Sequence, residues 1–200
     1  MKLFYLTGAC SLAPHIVLRE TNTPFDLVKV DRTSKQTDTG ENYLEINPKG
    51  YVPALQLDDG RVVTEAQVVL QYLAAQHPDS ELAPEPGSAE HYQLLEMLSF
   101  VSTELHKTMG SLFDPKQTPE WRAAMTELLG KRLDWLSEQL EGREFLFSRF
   151  TVADAYLFTV LNWAAKVKVD LAPWPSVAAY HQRLSQRPSV QQAMKAEGLL

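Results

Sequence analysis

The sequence predicts a small α/β domain followed by an all-helical one. Three observations support that prediction. Short apolar runs and helical stretches alternate through the first 76 residues. The segment HPDSELAPEPGS then places three prolines and a glycine between two periodic segments, the mark of a linker. Beyond it, nothing reads as a strand.

The elements follow in order. KLFYL is a short aromatic and apolar run ending at Thr7-Gly8, which reads as a buried strand. SLAPHIVLRE has Leu12, Ile16 and Val17 at helical spacing, and Pro14 falls in the first turn, where a missing N–H costs nothing. FDLVKVD alternates, so it is a second strand. SKQTDTGENYLEIN is polar and interrupted by glycine: a loop with one irregular helix. NPKGYVPALQL supplies a glycine turn, the Val52-Pro53 bond and an apolar strand. DDG is a hairpin signal and RVVT its return strand. EAQVVLQYLAAQ has apolar residues at Val68, Val69, Leu70, Leu73 and Ala74, a helical face. The order is β-α-β-α-β-β-α.

Past the linker, Ser88 can cap a long helix to about Leu112. Thr118-Pro119-Glu120 is an N-cap, an N1 proline and an early acid, opening a helix to about Leu140. Thr151-Val152-Ala153-Asp154 has the spacing of a capping box, with Asp in place of Glu, and opens a largely apolar helix through Ala165. Thr151 and Asp154 are read as structural. Two shorter helices are expected at 176–185 and 189–197.

Composition narrows the function. The 200 residues are 44% apolar and 22% charged, as in ordinary globular proteins. The net charge of -6 repels phosphate backbones and anionic lipid, so neither nucleic acid nor a membrane surface is expected as a partner. The single cysteine allows no internal disulfide and no Cys-based zinc site, and the five histidines show no HxxxH spacing; no metal is expected. The N-terminal apolar run is too short for a signal peptide, and no window approaches a membrane span. A reducing compartment, the cytoplasm, is expected.

That cysteine, Cys10, lies in TGACSLAPH, just before the first helix. Unpaired N–H groups and the positive end of the helix dipole converge there and favour a thiolate. An ordinary thiol is only about 3% ionised at pH 7. The alternative is a small buried side chain filling a gap. Ser11, adjacent, is a second hydroxyl candidate or a helix cap. Tyr5 lies inside the apolar strand and fits core packing. Further on, Tyr92, Glu96, Ser99, Thr103, His106 and Gly110 are spaced 4, 3, 4, 3, 4 and share one helical face. Either it is a solvated stripe or it looks into a site.

The stretches TGACSLAPHIVLRE, NPKGYVPAL, TEAQVVLQYLA, RFTVADAYLF and RPSVQQAMKAEGLL, with the order of elements, resemble a bacterial glutathione transferase over essentially the whole chain. The cysteine places the resemblance with the beta class. It implies a thioredoxin-like domain at 1–78 that binds glutathione and a linker at 79–87. A helical domain at 88–200 would contribute the electrophile pocket and dimer contacts. It implies that Cys10 faces the sulfur of bound glutathione and can form a mixed disulfide with it. Tyr5 and Ser11 resemble residues that activate glutathione in other classes. Val52-Pro53 is expected in cis, with the backbone of Val52 pairing the cysteinyl unit as an added strand would. Glu65 would hold the γ-glutamyl ammonium and helix N–H groups its carboxylate. Ala66 stands where relatives often have Ser or Thr, leaving only a backbone N–H. Lys35 would approach the glycyl carboxylate.

The resemblance also turns the polar stripe toward the cleft between the domains. His106 would lie near the thiolate as base or as imidazolium, with Lys107 adding positive charge. Ser99 and Thr103 would help hold the γ-glutamyl end, partly from a neighbouring subunit of a homodimer. Ser99 replaces a frequent Asn, and Phe147 a frequent glycine. Met109, Leu112, Phe113, Trp163 and Lys166 are candidates for the electrophile pocket. The implied activity is conjugation of glutathione to small electrophiles, as in detoxification. Two alternatives stand: a glutathione-dependent thiol-disulfide oxidoreductase or peroxidase using Cys10, and a non-catalytic glutathione-binding carrier or partner protein.

Overall fold

The computed structural model describes residues 1–200. The elements of the first part are β1 (Lys2–Tyr5), α1 (Leu12–Glu20), β2 (Asp26–Lys29), α2 (Tyr43–Ile46), β3 (Ala54–Gln56), β4 (Val62–Thr64) and α3 (Ala66–Gln76). A 3₁₀ turn, Pro78–Ser80, follows. The rest is helical: α4 (Ala89–Phe100), a π turn (Val101–His106), α5 (Lys107–Ser111), α6 (Pro119–Leu140), α7 (Val152–Leu161), α8 (Pro175–Ser185) and α9 (Pro188–Ala196).

Two compact units result, Met1–Glu81 with Arg187–Leu200, and Leu82–Gln186. The single helical domain expected at 88–200 is therefore corrected at its end: α9 belongs with the first unit. Its apolar residues Val190, Ala193 and Met194 have helical spacing, and the helix packs on α1. A sequence shows such a face but not which surface it covers.

In the first unit the sheet order is β2-β1-β3-β4. β1 and β2 are parallel, with Lys2 opposite Asp26 and Tyr5 opposite Lys29, and α1 supplies the crossover that a parallel pair needs. β3 runs antiparallel to both neighbours, with Leu55 facing Leu3 and Val63. This is the thioredoxin-like arrangement. Phe4, Val28, Val30, Tyr43, Val52 and Ala54 form one buried cluster. α1 is buried from Leu12 through Leu18 because α3 and α9 both pack on it.

Polar contacts fasten α9 to α1. Arg187 Nε donates to Glu20 at 2.8 Å, and the hydroxyl of Ser189 donates to the same carboxylate. Just past α9, the buried Glu197 carboxylate accepts the Gly8 N–H at 2.8 Å and pairs with His15 Nδ1 at 2.9 Å. The chain's last residues thus brace the turn that leads to Cys10.

In the second unit α7 is buried at every position, which its apolar sequence requires. It ends at Leu161, short of the expected 165. α6 presents Leu129, Leu133, Leu136 and Leu140 as one buried stripe, and it packs on α8. The buried Asp154 carboxylate accepts from the N–H and hydroxyl of Thr151 (2.8 and 2.9 Å), the Leu146 N–H (2.9 Å) and the Tyr180 hydroxyl (2.8 Å). Ser88 accepts from His91 N–H, as a cap should. The single α-helix expected to about 112 is interrupted by the π turn.

Candidate functional site

In the first unit, β1 is joined to α1 by a tight turn. The Ala9 N–H donates to Leu6 O at 3.0 Å, and Gly8 has φ +67°, a conformation glycine adopts without steric cost. Ser11 is fully buried; its hydroxyl accepts from Leu6 N–H at 3.2 Å and donates to Leu6 O at 3.3 Å. It makes no side-chain cap. The capping expectation for Ser11 is corrected: it ties the turn together. Tyr5 is buried as well, and burial raises its hydroxyl pKa.

Cys10 is half-buried at the end of this turn, and its thiol donates to the backbone oxygen of Val52 at 3.1 Å. This contact places the sulfur against the backbone of Val52.

Val52 is held firmly. The Val52-Pro53 bond is cis. Ahead of it, Tyr51 O accepts from the Tyr43 hydroxyl at 2.6 Å and from Asn47 Nδ2 at 2.7 Å. Burial pushes the Tyr43 hydroxyl up to about 12, so it stays a donor. Gly50 has φ +67°, and a Cβ there would come within 3.2 Å of Leu44. Lys35 Nζ donates to Gly50 O at 3.0 Å. Tyr43 and Asn47 were not anticipated; their signal was only an aromatic and an amide inside a loop read as polar.

Glu65 is the least expected part of this unit. A glutamate in a first helical turn needs no special reason. Glu65, however, precedes the first residue of α3, with φ 68° and ψ 121°. A non-glycine residue there stores roughly 1–3 kcal/mol of backbone strain. Its exposed carboxylate makes no cap and pairs with Lys49 Nζ, which also donates to Thr64 Oγ1 at 2.8 Å. Lys49 was missed although it sits inside the motif NPKGY. Ala66 opens α3, nearly buried.

In the second unit, His106 closes the π turn. Its Nδ1 lies 2.7 Å from the hydroxyl of Tyr156 on α7, and its ring meets the edge of Trp163 at 4.8 Å between centroids. A Cβ on Gly110 would sit 3.6 Å from His106 Cδ2 and 3.9 Å from Trp163. Tyr156 was not foreseen, because it lies in an apolar run that reads as core.

The polar stripe is corrected. A π turn adds about one residue to the helical register, a rotation of about 100°. Tyr92, Glu96 and Ser99 therefore do not share a line with His106 and Gly110. Ser99, Thr103 and Lys107 are exposed, and the Thr103 hydroxyl donates to Ser99 O at 3.0 Å. Met109 and Leu112 are buried core residues, whereas Phe113 and Lys166 are exposed. Phe147 gains a setting: with Met97, Phe100 and Trp135 it lines a groove of about 810 Å³.

Comparison with known proteins gives consistent results. Residues 7–76 match the family model for the glutathione S-transferase N-terminal domain, and residues 119–183 the model for its C-terminal domain. The glutathione S-transferase GstA of Escherichia coli O157:H7 is 46% identical over 200 residues, covering 100% of both chains. The structure of a sphingomonad glutathione S-transferase complexed with glutathione is 47% identical, with TM-score 0.95 and 100% of both chains covered. The beta-class glutathione S-transferase of Sphingomonas chungbukensis is also 47% identical, with TM-score 0.96 and 100% of both chains covered.

Proposed function

Since this chain belongs to the glutathione S-transferase family, we propose that it joins the sulfur of glutathione to small electrophiles, with the tripeptide lying along the first unit. In this reading the cysteinyl backbone pairs with Val52 as an added strand. Glu65 takes the γ-glutamyl ammonium. The N-terminal amides of α3, with that of Ala66, take the γ-glutamyl carboxylate. Lys35 reaches the glycyl carboxylate. Cys10 lies against the substrate sulfur.

One observation carries this reading: the chain's single thiol rests on the backbone oxygen of Val52, the group a docked peptide would use. Glu65 supports it. A strained, exposed carboxylate that caps nothing is better explained by a ligand than by folding.

The chemistry is substitution or addition at sulfur. Glutathione loses its thiol proton, the sulfur forms a bond to an electrophilic carbon, and in a substitution the leaving group departs with the bonding pair. The protein contributes positioning and a bias toward the thiolate. His106 supplies that bias, as a base or as a hydrogen-bond donor, and Lys107 adds positive charge. The protein acts as a cytoplasmic homodimer, with Ser99 and Thr103 of the neighbouring copy completing the γ-glutamyl end. No helix is long and apolar enough to cross a membrane.

A second reading is favoured by the half-buried position of Cys10. Its thiolate would attack a disulfide containing glutathione, forming a mixed disulfide and expelling the other thiolate. A second glutathione thiolate would then release the enzyme thiol and leave as oxidised glutathione. Assay of Cys10→Ala on a panel of electrophiles and disulfides separates the two. Retention on immobilised glutathione with no turnover of either panel by the unaltered enzyme would instead support a carrier.

A further inference from the structure

We infer that Tyr156 is a positioning residue whose hydroxyl donates to His106 Nδ1, holding the ring as its Nε2–H tautomer. His106 then serves as a hydrogen-bond donor to the substrate thiolate, not as the base that removes its proton. This rests on the reading that His106 serves the glutathione sulfur.

The geometry supplies the argument. The Tyr156 oxygen lies 2.7 Å from Nδ1, a full hydrogen bond, and Tyr156 is 1% exposed. Two arrangements satisfy that distance. Either the phenol donates to the nitrogen lone pair, or Nδ1–H donates to the phenol oxygen. A phenol is a stronger acid than a neutral imidazole N–H, and an imidazole nitrogen is a stronger base than a phenol oxygen. The hydroxyl therefore donates, and the ring proton resides on Nε2. With Nε2 already protonated, only Nδ1 can take a further proton, and that would force a buried hydroxyl to turn round.

The surroundings fix the ring. Trp163 meets it edge-on. Tyr156 is rigid in turn: two residues before it, Asp154 gathers four hydrogen bonds at the start of α7. The π turn delivers His106 to this position, and such turns recur where a helix has been reshaped for a site. A second set of groups that sets the tautomer of a working histidine is a general device.

The test is nitrogen NMR on the full-length enzyme labelled in its histidines, without glutathione, with His106→Gln identifying the signal. The expected spectrum shows the proton on Nε2 and not on Nδ1. Tyr156→Phe should let the Nδ1–H form appear beside Nε2–H, with kcat/KM for conjugation falling about fivefold and the glutathione KM changing less than about twofold. A wild-type ring protonated on Nδ1 would overturn the inference, as would a tautomer unmoved by Tyr156→Phe. If Tyr156→Phe fails to fold, the wild-type Nδ1 shift decides: an accepted hydrogen bond moves it away from that of a bare ring nitrogen, and an unmoved shift overturns the inference. Unchanged conjugation by His106→Gln would overturn the underlying reading instead. That failure is distinct, because the tautomer is read without substrate.

Discussion

The Cys10 thiol donates to the Val52 carbonyl at 3.1 Å, tying the turn after β1 to the residue that leads into β3. This contact holds the sulfur beside backbone that a peptide would pair with. Cys10→Ala should abolish mixed-disulfide formation and disulfide reduction, and lower conjugation by about tenfold, the value of one charge-assisted hydrogen bond. Steady-state rates on both substrate types check this. Conjugation untouched by the substitution would assign the thiol to redox work alone.

Glu65 combines strain with exposure, so two substitutions should part. Glu65→Gln and Glu65→Gly should each raise the glutathione KM by about tenfold, since both remove the charge that meets the ammonium. Only glycine accepts φ 68° freely, so Glu65→Gly should raise Tm by about 2–4 °C. Loss of the Lys49 pair should matter little to stability, because exposed ion pairs contribute about 0–1 kcal/mol. Thermal melts beside initial rates give both results. A Glu65→Gly enzyme less stable than its parent would contradict the strain argument.

Much of the architecture was legible because apolar spacing is a direct record of burial. Val69, Leu70, Leu73 and Ala74, and the caps at Ser88 and Thr118, stand where their pattern puts them. Other features left no such record. α9 has an apolar face, but spacing cannot say that α1 lies against it. The π turn is invisible because its residues, VSTELH, suit an α-helix equally well. In the candidate site, the lone thiol drew attention to Cys10, and the family resemblance, not the X-Pro pair itself, drew it to Val52. Tyr43, Lys49 and Tyr156 drew none, since each acts through a single atom reached only after folding.

Ala66 removes a hydroxyl at the first residue of α3. Ala66→Ser should tighten glutathione by about fivefold, one neutral hydrogen bond. Calorimetric titration measures it directly, and unchanged or weaker binding would refute the proposed position of the γ-glutamyl carboxylate.

Asp154 is a matter of folding. Asp154→Ala strands the Leu146 N–H, the Thr151 N–H and hydroxyl, and the Tyr180 hydroxyl in a buried setting. The expected loss is about 3 kcal/mol or more, a fall in Tm of at least about 6 °C. Denaturant and thermal melts provide the check. A melt unchanged from the parent would remove the structural assignment.

Alkylation of Cys10 by iodoacetamide, with and without S-methylglutathione, tests the account most directly, because the analogue fills the tripeptide site without reacting. At about ten times its Kd the analogue should slow alkylation about tenfold, and Glu65→Gln should lose most of that protection at the same concentration. Equal rates with and without the analogue, at a concentration where titration shows it bound, would mean that the thiol and the peptide do not share a site.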